Sequence, residues 1–373
     1  VCWNAENLKK SHGGTDVATS TRLDSIKSYM EDDGIYSHMK GVIEHNMKMM
    51  DHNGYMEDTP NSLELRLGNH CNLKCTMCWG YSSSRINAER LDMVKKHGST
   101  MPTWLFDMWY PSEYDIAKID MMWHENPKFL DNFKKIAPTL KRLYVTGGEP
   151  SIIKANTDMI NHLIEIGNKE CHVSFTTNLT TWNIDLYEKL SFFDKSEVQV
   201  SIDGYKESQE YIRYGSAWED IERNFKKLIE LPNKVRIQIY NVFQVYNIFE
   251  SHKIMKWLDS LDLKREVAFW PIIIDQPLHL RATVIPYHIR DKAKELYRDF
   301  YDYTSYNNRY LDLHGAANKI ISYLESDWEA HGSYKKYCQG VEQTFPQFEE
   351  LKEEFKEVLE WKLETPNWWV DDE

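Results

Sequence analysis

The chain has 373 residues, of which 42% are hydrophobic, 13% aromatic and 28% charged, and its formal net charge is -13. That length suits one large domain with appendages or two modest domains, and the acidic balance disfavours non-specific binding to a nucleic-acid backbone while leaving a local basic groove open. No stretch approaches the roughly 18–20 consecutive apolar residues that span a bilayer, and the opening VCWNAENLKKSHGG lacks the apolar centre of a signal peptide, so a soluble cytoplasmic protein is expected. The sequence opens on Val1 rather than Met, which leaves room for a short upstream segment with further cysteines.

Before about Asn61 the chain reads as polar turns and short helices, one capped by Thr21 and running through Leu23, Ile26 and Met30, another through Met39, Val42, Ile43 and Met47. SLELRL (62–67) alternates as a strand and runs straight into a cysteine-bearing loop. A Trp- and Met-rich insertion (101–123) and a helix near Asn132 precede a second strand, KRLYVTGG, which ends in a glycine turn. HVSFTTN, EVQVSIDG, KVRIQIYNV and EVAFWPIII then read as short strands of a buried parallel sheet. Amphipathic helices over 158–166, 184–193, 218–231 and 249–261 separate them. Strands alternating with helices in this way indicate a parallel α/β fold. After about Pro286 the pattern turns helical and charged, with a Glu- and Lys-rich run over 348–364 that reads as a solvated helix face. The expected organisation is an N-terminal extension (1–61), a catalytic core (62–285) and a helical C-terminal appendage (286–373).

Six cysteines occur, and three of them, Cys71, Cys75 and Cys78, fall within eight residues. A chain of this size does not need disulfide staples, so the cluster points to metal or redox chemistry. Three soft ligands on one tight loop fit an iron–sulfur cluster that leaves one iron open. A structural zinc site would recruit a fourth Cys or His, for which His70 is a candidate. The Cys-x3-Cys-x2-Cys spacing after a first strand resembles the signature of the radical S-adenosylmethionine superfamily. That resemblance implies a partial (β/α)6 TIM-like barrel and one [4Fe–4S] cluster on Cys71, Cys75 and Cys78. It further implies S-adenosylmethionine bound to the open iron and cleaved by one-electron reduction to a 5′-deoxyadenosyl radical that abstracts hydrogen from substrate. Where the family usually has an aromatic residue near the adenine, this sequence has Met77, an apolar substitute.

Three further segments accompany the cysteines. Gly147 and Gly148 allow close backbone approach to a ligand, and Glu149 supplies a carboxylate that can accept from an ammonium group; alone, the segment is an ordinary strand-to-helix turn. Thr176-Thr177-Asn178 and Ser201-Ile202-Asp203-Gly204 end the third and fourth strands, where polar residues line the ligand-facing rim of such folds. By resemblance to the branch that modifies peptides and proteins, Ser201 lies near the ribose or carboxylate of the cofactor and Arg213 forks onto the carboxylate. Asp203 reads equally as a turn-stabilising residue before Gly204. Asn178-Leu179-Thr180 matches a glycosylation sequon, discounted for a buried segment.

GGEP, TTN, SIDG and YIRYGS together look most like twitch- or SPASM-type members, including phage-encoded ones. In this chain Cys2 alone remains of the paired cysteines such relatives carry near the N-terminus, so 1–61 is expected to be a degenerate module. Cys2, Cys171 and Cys338 are too few and too scattered for a second cluster, and Cys171 reads as a small buried hydrophobe. No residue is assigned as catalytic acid, base or hydrogen donor. His162, His172 and His279 read as packing or surface residues, and Tyr211, Tyr214 and the Trp-rich insertion border the substrate or fill the core. The resemblance implies a peptide, protein or peptide-like small-molecule substrate and a one-electron reductant such as flavodoxin or ferredoxin. Two other readings stay open: a non-catalytic iron–sulfur or zinc module on the same fold, and radical chemistry on a small nucleotide or sugar.

Overall fold

The computed structural model describes residues 59–97, 120–261, 263–274, 280–284, 287–305 and 311–325. The expected N-terminal helices, Cys2, most of the Trp- and Met-rich insertion, His279, Cys338 and the charged run over 348–364 lie outside the described residues. The central sheet contains β1 (Ser62–Arg66), β2 (Arg142–Thr146), β3 (His172–Thr177), β4 (Ser196–Ser201), β5 (Val235–Phe243) and β6 (Val267–Ile273). They lie side by side in chain order. The pairings from β2 through β6 are all parallel, and one row of side chains crosses them: Val145, Phe175, Val198, Ile237 and Val267. All five are buried.

A parallel strand reaches its neighbour only through a crossover, usually a helix. Here α1 (Ser84–His97) and α2 (Pro127–Ile136) occupy the interval after β1, and α3 (Lys154–Glu165) follows β2. The short α4 (Ile184–Tyr187) runs into a 3-10 turn after β3, α5 (Glu207–Ile212) and α6 (Trp218–Ile229) follow β4, and α7 (Ser251–Ser260) follows β5. After β6 come α8 (Tyr287–Ser305) and α9 (Leu311–Glu325), the described part of the helical C-terminal region. The result is a parallel α/β sheet of six strands wrapped by helices, a partial (β/α)6 barrel. Apart from Ser62 and the residues before it, all of this belongs to one compact unit beginning at Leu63.

The helices bury a periodic apolar face against one side of the sheet. In α6, Trp218, Ile221, Phe225 and Leu228 recur at helical spacing and are buried. Glu219 and Asp220 in its first turn and Lys226 and Lys227 in its last complement the helix dipole. Trp218 then meets Trp257 of α7 edge to face at 5.0 Å between ring centroids. Burying each such large apolar side chain contributes roughly 1.5–3 kcal/mol.

The other side of the sheet carries polar side chains. Tyr144, Thr176, Gln199 and Glu197 form a hydrogen-bonded chain across β2, β3 and β4, with each contact at 2.8 Å. Thr176 spends its one hydroxyl proton on Gln199 Oε1, so Tyr144 is the donor in their contact. Further along this face Trp270 and Ile272 of β6 are exposed. Residues i and i+2 of a strand share a face, so the polar residues form a coherent inner lining. Among the described residues no helix is long and apolar enough to cross a membrane.

Candidate active site

The loop after β1 is gripped from both sides. Ser84 at the start of α1 donates its N–H to the Asn69 carbonyl at 2.7 Å and accepts from the Cys71 N–H on its hydroxyl at 3.3 Å. Ser83 donates its hydroxyl to the Leu73 carbonyl at 2.7 Å, and Asn69 donates its amide to the Gly80 carbonyl at 2.8 Å. Within the loop, Cys78 N–H donates to the Cys75 carbonyl at 3.0 Å. Lys74–Cys75 pairs antiparallel with Arg213–Tyr214, placing Cys75 opposite Arg213. The Thr76 N–H extends the contact to the Ile212 carbonyl at 2.8 Å. The three thiols are half-buried. Burial pushes Cys71 up to about 11 and Cys75 up to about 12, the neighbouring thiols adding to both, so ligation has to displace thiol protons. Among the described residues no three His, Cys, Asp or Glu side chains converge on a single-ion site.

The glycine turn after β2 meets this loop. Gly148 has φ +54, and a Cβ there would lie 2.3 Å from the His70 carbonyl oxygen. Gly147 has φ +84 and packs against Arg66 and Gly68. Both are therefore required by the approach of two main chains, which the Glu149 N–H seals by donating to the His70 carbonyl at 2.8 Å. The Glu149 side chain is 1% exposed. It accepts from Ser151 N–H at 3.0 Å, Thr177 hydroxyl at 2.8 Å and Asn178 N–H at 2.7 Å. Three donors of the protein itself thus engage this carboxylate, which the sequence marked as an acceptor for an ammonium group. Burial raises its pKa despite those hydrogen bonds. Thr177 gives its proton to Glu149, so the buried Tyr187 donates to Thr177 at 2.9 Å. Burial, with the Glu149 charge behind it, holds the Tyr187 phenol well above its ordinary range.

The end of β3 is tied to the cysteine loop by side chains. Asn178 donates to Asn72 Oδ1 at 2.9 Å, and Asn72 donates to Thr180 Oγ1 at 2.8 Å. Asn178 also accepts from the Thr180 N–H and hydroxyl, and it is buried, in keeping with the discounted sequon. Met77 is half-buried and packs on the core. Ser201 closes β4 opposite Tyr240, 9% exposed. Two residues on, Asp203 is fully buried and both its oxygens are occupied. Oδ1 accepts from Val242 N–H and Oδ2 from Arg213 Nε, each at 2.7 Å. These bonds tie the end of β4 to β5 and to the Arg213 strand. Arg213 Nη1 reaches the Cys75 sulfur at 3.8 Å.

A protein-family model, the Radical SAM superfamily, matches residues 65–258, which hold every residue just described. The chain belongs to the radical SAM superfamily. No curated protein matches it in sequence. Among solved structures it is similar to native anSMEcpe with bound AdoMet, at 21% identity over 67% of this chain and 63% of that one, with a TM-score of 0.43. It is also similar to SuiB of Streptococcus suis, at 16% identity over 81% and 61% of the two chains, with a TM-score of 0.41. A structure of SuiB bound to the precursor peptide SuiA matches at 13% identity over 81% and 60%, also at 0.41. The radical SAM chain described here thus spans about three fifths of the length of these structures.

Hydrogen bonds join Cys75 and Cys78 with Arg213 and Asp203 in one set and Glu149 with Asn178 and Asn72 in another, while Gly148 meets the cysteine loop at His70. Sequence reasoning missed Asn72, Tyr187 and Gln209, whose amide oxygen takes the Asp203 and Gly204 N–H groups at 2.8 and 3.0 Å. It also missed the inner polar lining, although the alternation of Glu197, Gln199 and Ser201 in EVQVSIDG carried the signal. Cys171 is buried as expected, and burial pushes its thiol up to about 12.

Proposed function

We propose that this chain is a radical SAM enzyme that holds one [4Fe–4S] cluster on Cys71, Cys75 and Cys78, binds S-adenosylmethionine, and acts on a peptide, protein side chain or peptide-like molecule. The observation that carries the reading is the pinning of the cysteine loop against the Gly147-Gly148-Glu149 turn and the Arg213 strand, with all three thiols on one loop. When bound, the cluster supplies the single electron that cleaves the sulfonium cofactor.

The chain's own residues do the positioning. Gly147 and Gly148 bring the turn against the cysteine loop, and Glu149 fixes that turn to the end of β3 through Thr177 and Asn178. Asp203 fixes the β4 rim to β5 and to Arg213. We assign the cofactor's surroundings to the Gly147 and Gly148 main chain, Met77, Asn178, Ser201 and the outer end of Arg213, with Glu149 and Asp203 as the groups that hold them. The polar lining from Tyr144 to Glu197 faces the interior, where a substrate with hydrogen-bonding groups is accommodated. The peptide class is supported by the Ser-x-Asp-Gly and Arg213 resemblance, as is a place in the twitch or SPASM branch with phage-encoded members. The reductant is proposed to be a small electron carrier of the flavodoxin or ferredoxin class, in a cytoplasmic setting.

The test is anaerobic reconstitution followed by dithionite and S-adenosylmethionine, with an assay for 5′-deoxyadenosine. Release that is abolished in Cys75→Ala supports the reading. A loaded protein that neither binds S-adenosylmethionine nor releases 5′-deoxyadenosine would leave a non-catalytic module.

A further inference from the structure

The family resemblance sends Arg213 to the cofactor's carboxylate, yet the geometry ties it first to Cys75. Its main chain is the register partner of Cys75 in the two-residue ribbon, so its side chain starts beside that cysteine. Nη1 lies 3.8 Å from the Cys75 sulfur, within reach of an N–H···S contact. Nε is bound to Asp203 Oδ2 at 2.7 Å, and the guanidinium is only 12% exposed. Asp203 is itself immobilised: Val242 N–H holds its other oxygen, and Gln209 holds the main chain at 203 and 204. The pair is locked before any ligand arrives.

Building on the cluster site proposed above, we infer that Arg213 raises the electron affinity of the cluster by presenting its guanidinium to the Cys75 sulfur, with Asp203 as the positioning residue. Reduction adds one electron, which spreads onto the ligand sulfurs, while the proton stays on the guanidinium. A fixed positive charge poorly shared with water favours that added negative charge, and hydrogen bonds to the sulfurs are a recognised lever on cluster potential. Asp203 partly offsets the charge but fixes its direction, so the effect depends on orientation as well as on net charge.

The experiment is a redox titration of the anaerobically reconstituted full chain without S-adenosylmethionine, following the EPR signal of the reduced cluster. In Arg213→Gln the midpoint should fall by at least a tenfold change in the one-electron equilibrium, about 59 mV, at unchanged iron and sulfide content. Arg213→Lys keeps a cation for Asp203 but has no planar fork to serve both partners. It should show a smaller fall, and it carries the test if the glutamine variant does not fold. Asp203→Asn removes the offsetting charge while keeping an oxygen for Nε, so with Arg213 intact it should shift the midpoint upward. Midpoints equal to wild type in the variants that load, alongside weaker binding of S-adenosylmethionine, would overturn the inference and return Arg213 to the cofactor carboxylate. A wild-type protein with no reducible cluster would instead remove the site on which the inference rests.

Discussion

Gly148→Ala perturbs the contact on which the site depends, and its cost can be worked from the geometry. The residue sits at φ +54, where an L side chain costs about 1–2 kcal/mol. The new methyl would lie 2.3 Å from the His70 carbonyl oxygen, 2.9 Å from its carbon and 3.0 Å from the Asn69 carbon, whereas ordinary contact begins at 3.4 Å. The neighbouring main chain must therefore retreat by about 1 Å. That movement strains the buried Glu149 N–H to His70 hydrogen bond, worth about 1–3 kcal/mol if left unmade. The sum is about 2–5 kcal/mol. Gly167 provides an internal control, since it has φ +75 but nothing within 4 Å of a Cβ. Gly167→Ala should cost only the backbone penalty, about 1–2 kcal/mol. Urea unfolding of both variants, with iron and sulfide content after reconstitution, separates the two terms. Gly148→Ala should lose more stability and also lose cluster, while Gly167→Ala keeps full loading. Equal stability loss and equal loading in the two variants would refute the close-approach argument.

Glu149→Gln replaces one acceptor oxygen with a donor that faces N–H or O–H groups, so it should destabilise by about 1–3 kcal/mol in urea titration and lower cluster retention. Gln209→Ala strands the buried N–H groups of Asp203 and Gly204 and should cost about 2–3 kcal/mol by the same assay. His252 is held neutral: burial, aided by the nearby Lys256 and Lys253 charges, lowers its pKa to about 4 from 6.5. The unfolded chain then binds the extra proton first as pH falls. Stability is full above about pH 6.5 and declines toward pH 4, by an amount on the order of 3 kcal/mol. His252→Gln should flatten that part of the stability–pH curve, and an unchanged slope would contradict the assignment.

The strands were legible because each is a short β-rich run bounded by a turn. HVSFTTN and EVQVSIDG end within a residue or a few of the observed β3 and β4. Helix α1 was not anticipated, since it begins directly at the end of the cysteine loop and carries few apolar residues, with Leu91 exposed. The motifs located Glu149 and Asp203 at the correct rim but not their occupation. The donors that fill those carboxylates come from Asn178 and Val242, 29 and 39 residues downstream. No local pattern encodes partners that only the sheet brings together. The two glycines have a similar history: the turn was evident, but the crowding at their Cβ positions comes from His70, Arg66 and Gly68 of another loop. The inner polar face is written only in the period-2 alternation of Glu197, Gln199 and Ser201, a weak signal within strands of a buried parallel sheet.

The central claim is that Cys71, Cys75 and Cys78 together hold an iron–sulfur cluster with one iron left for S-adenosylmethionine. Mössbauer spectroscopy of the iron-reconstituted full chain, with and without S-adenosylmethionine, addresses it most directly. The account predicts one [4Fe–4S] cluster per chain and a change confined to a single iron site when S-adenosylmethionine is added, with the cluster lost in Cys75→Ala. Spectra indifferent to S-adenosylmethionine, or a protein that takes up zinc in place of a cluster, would contradict it.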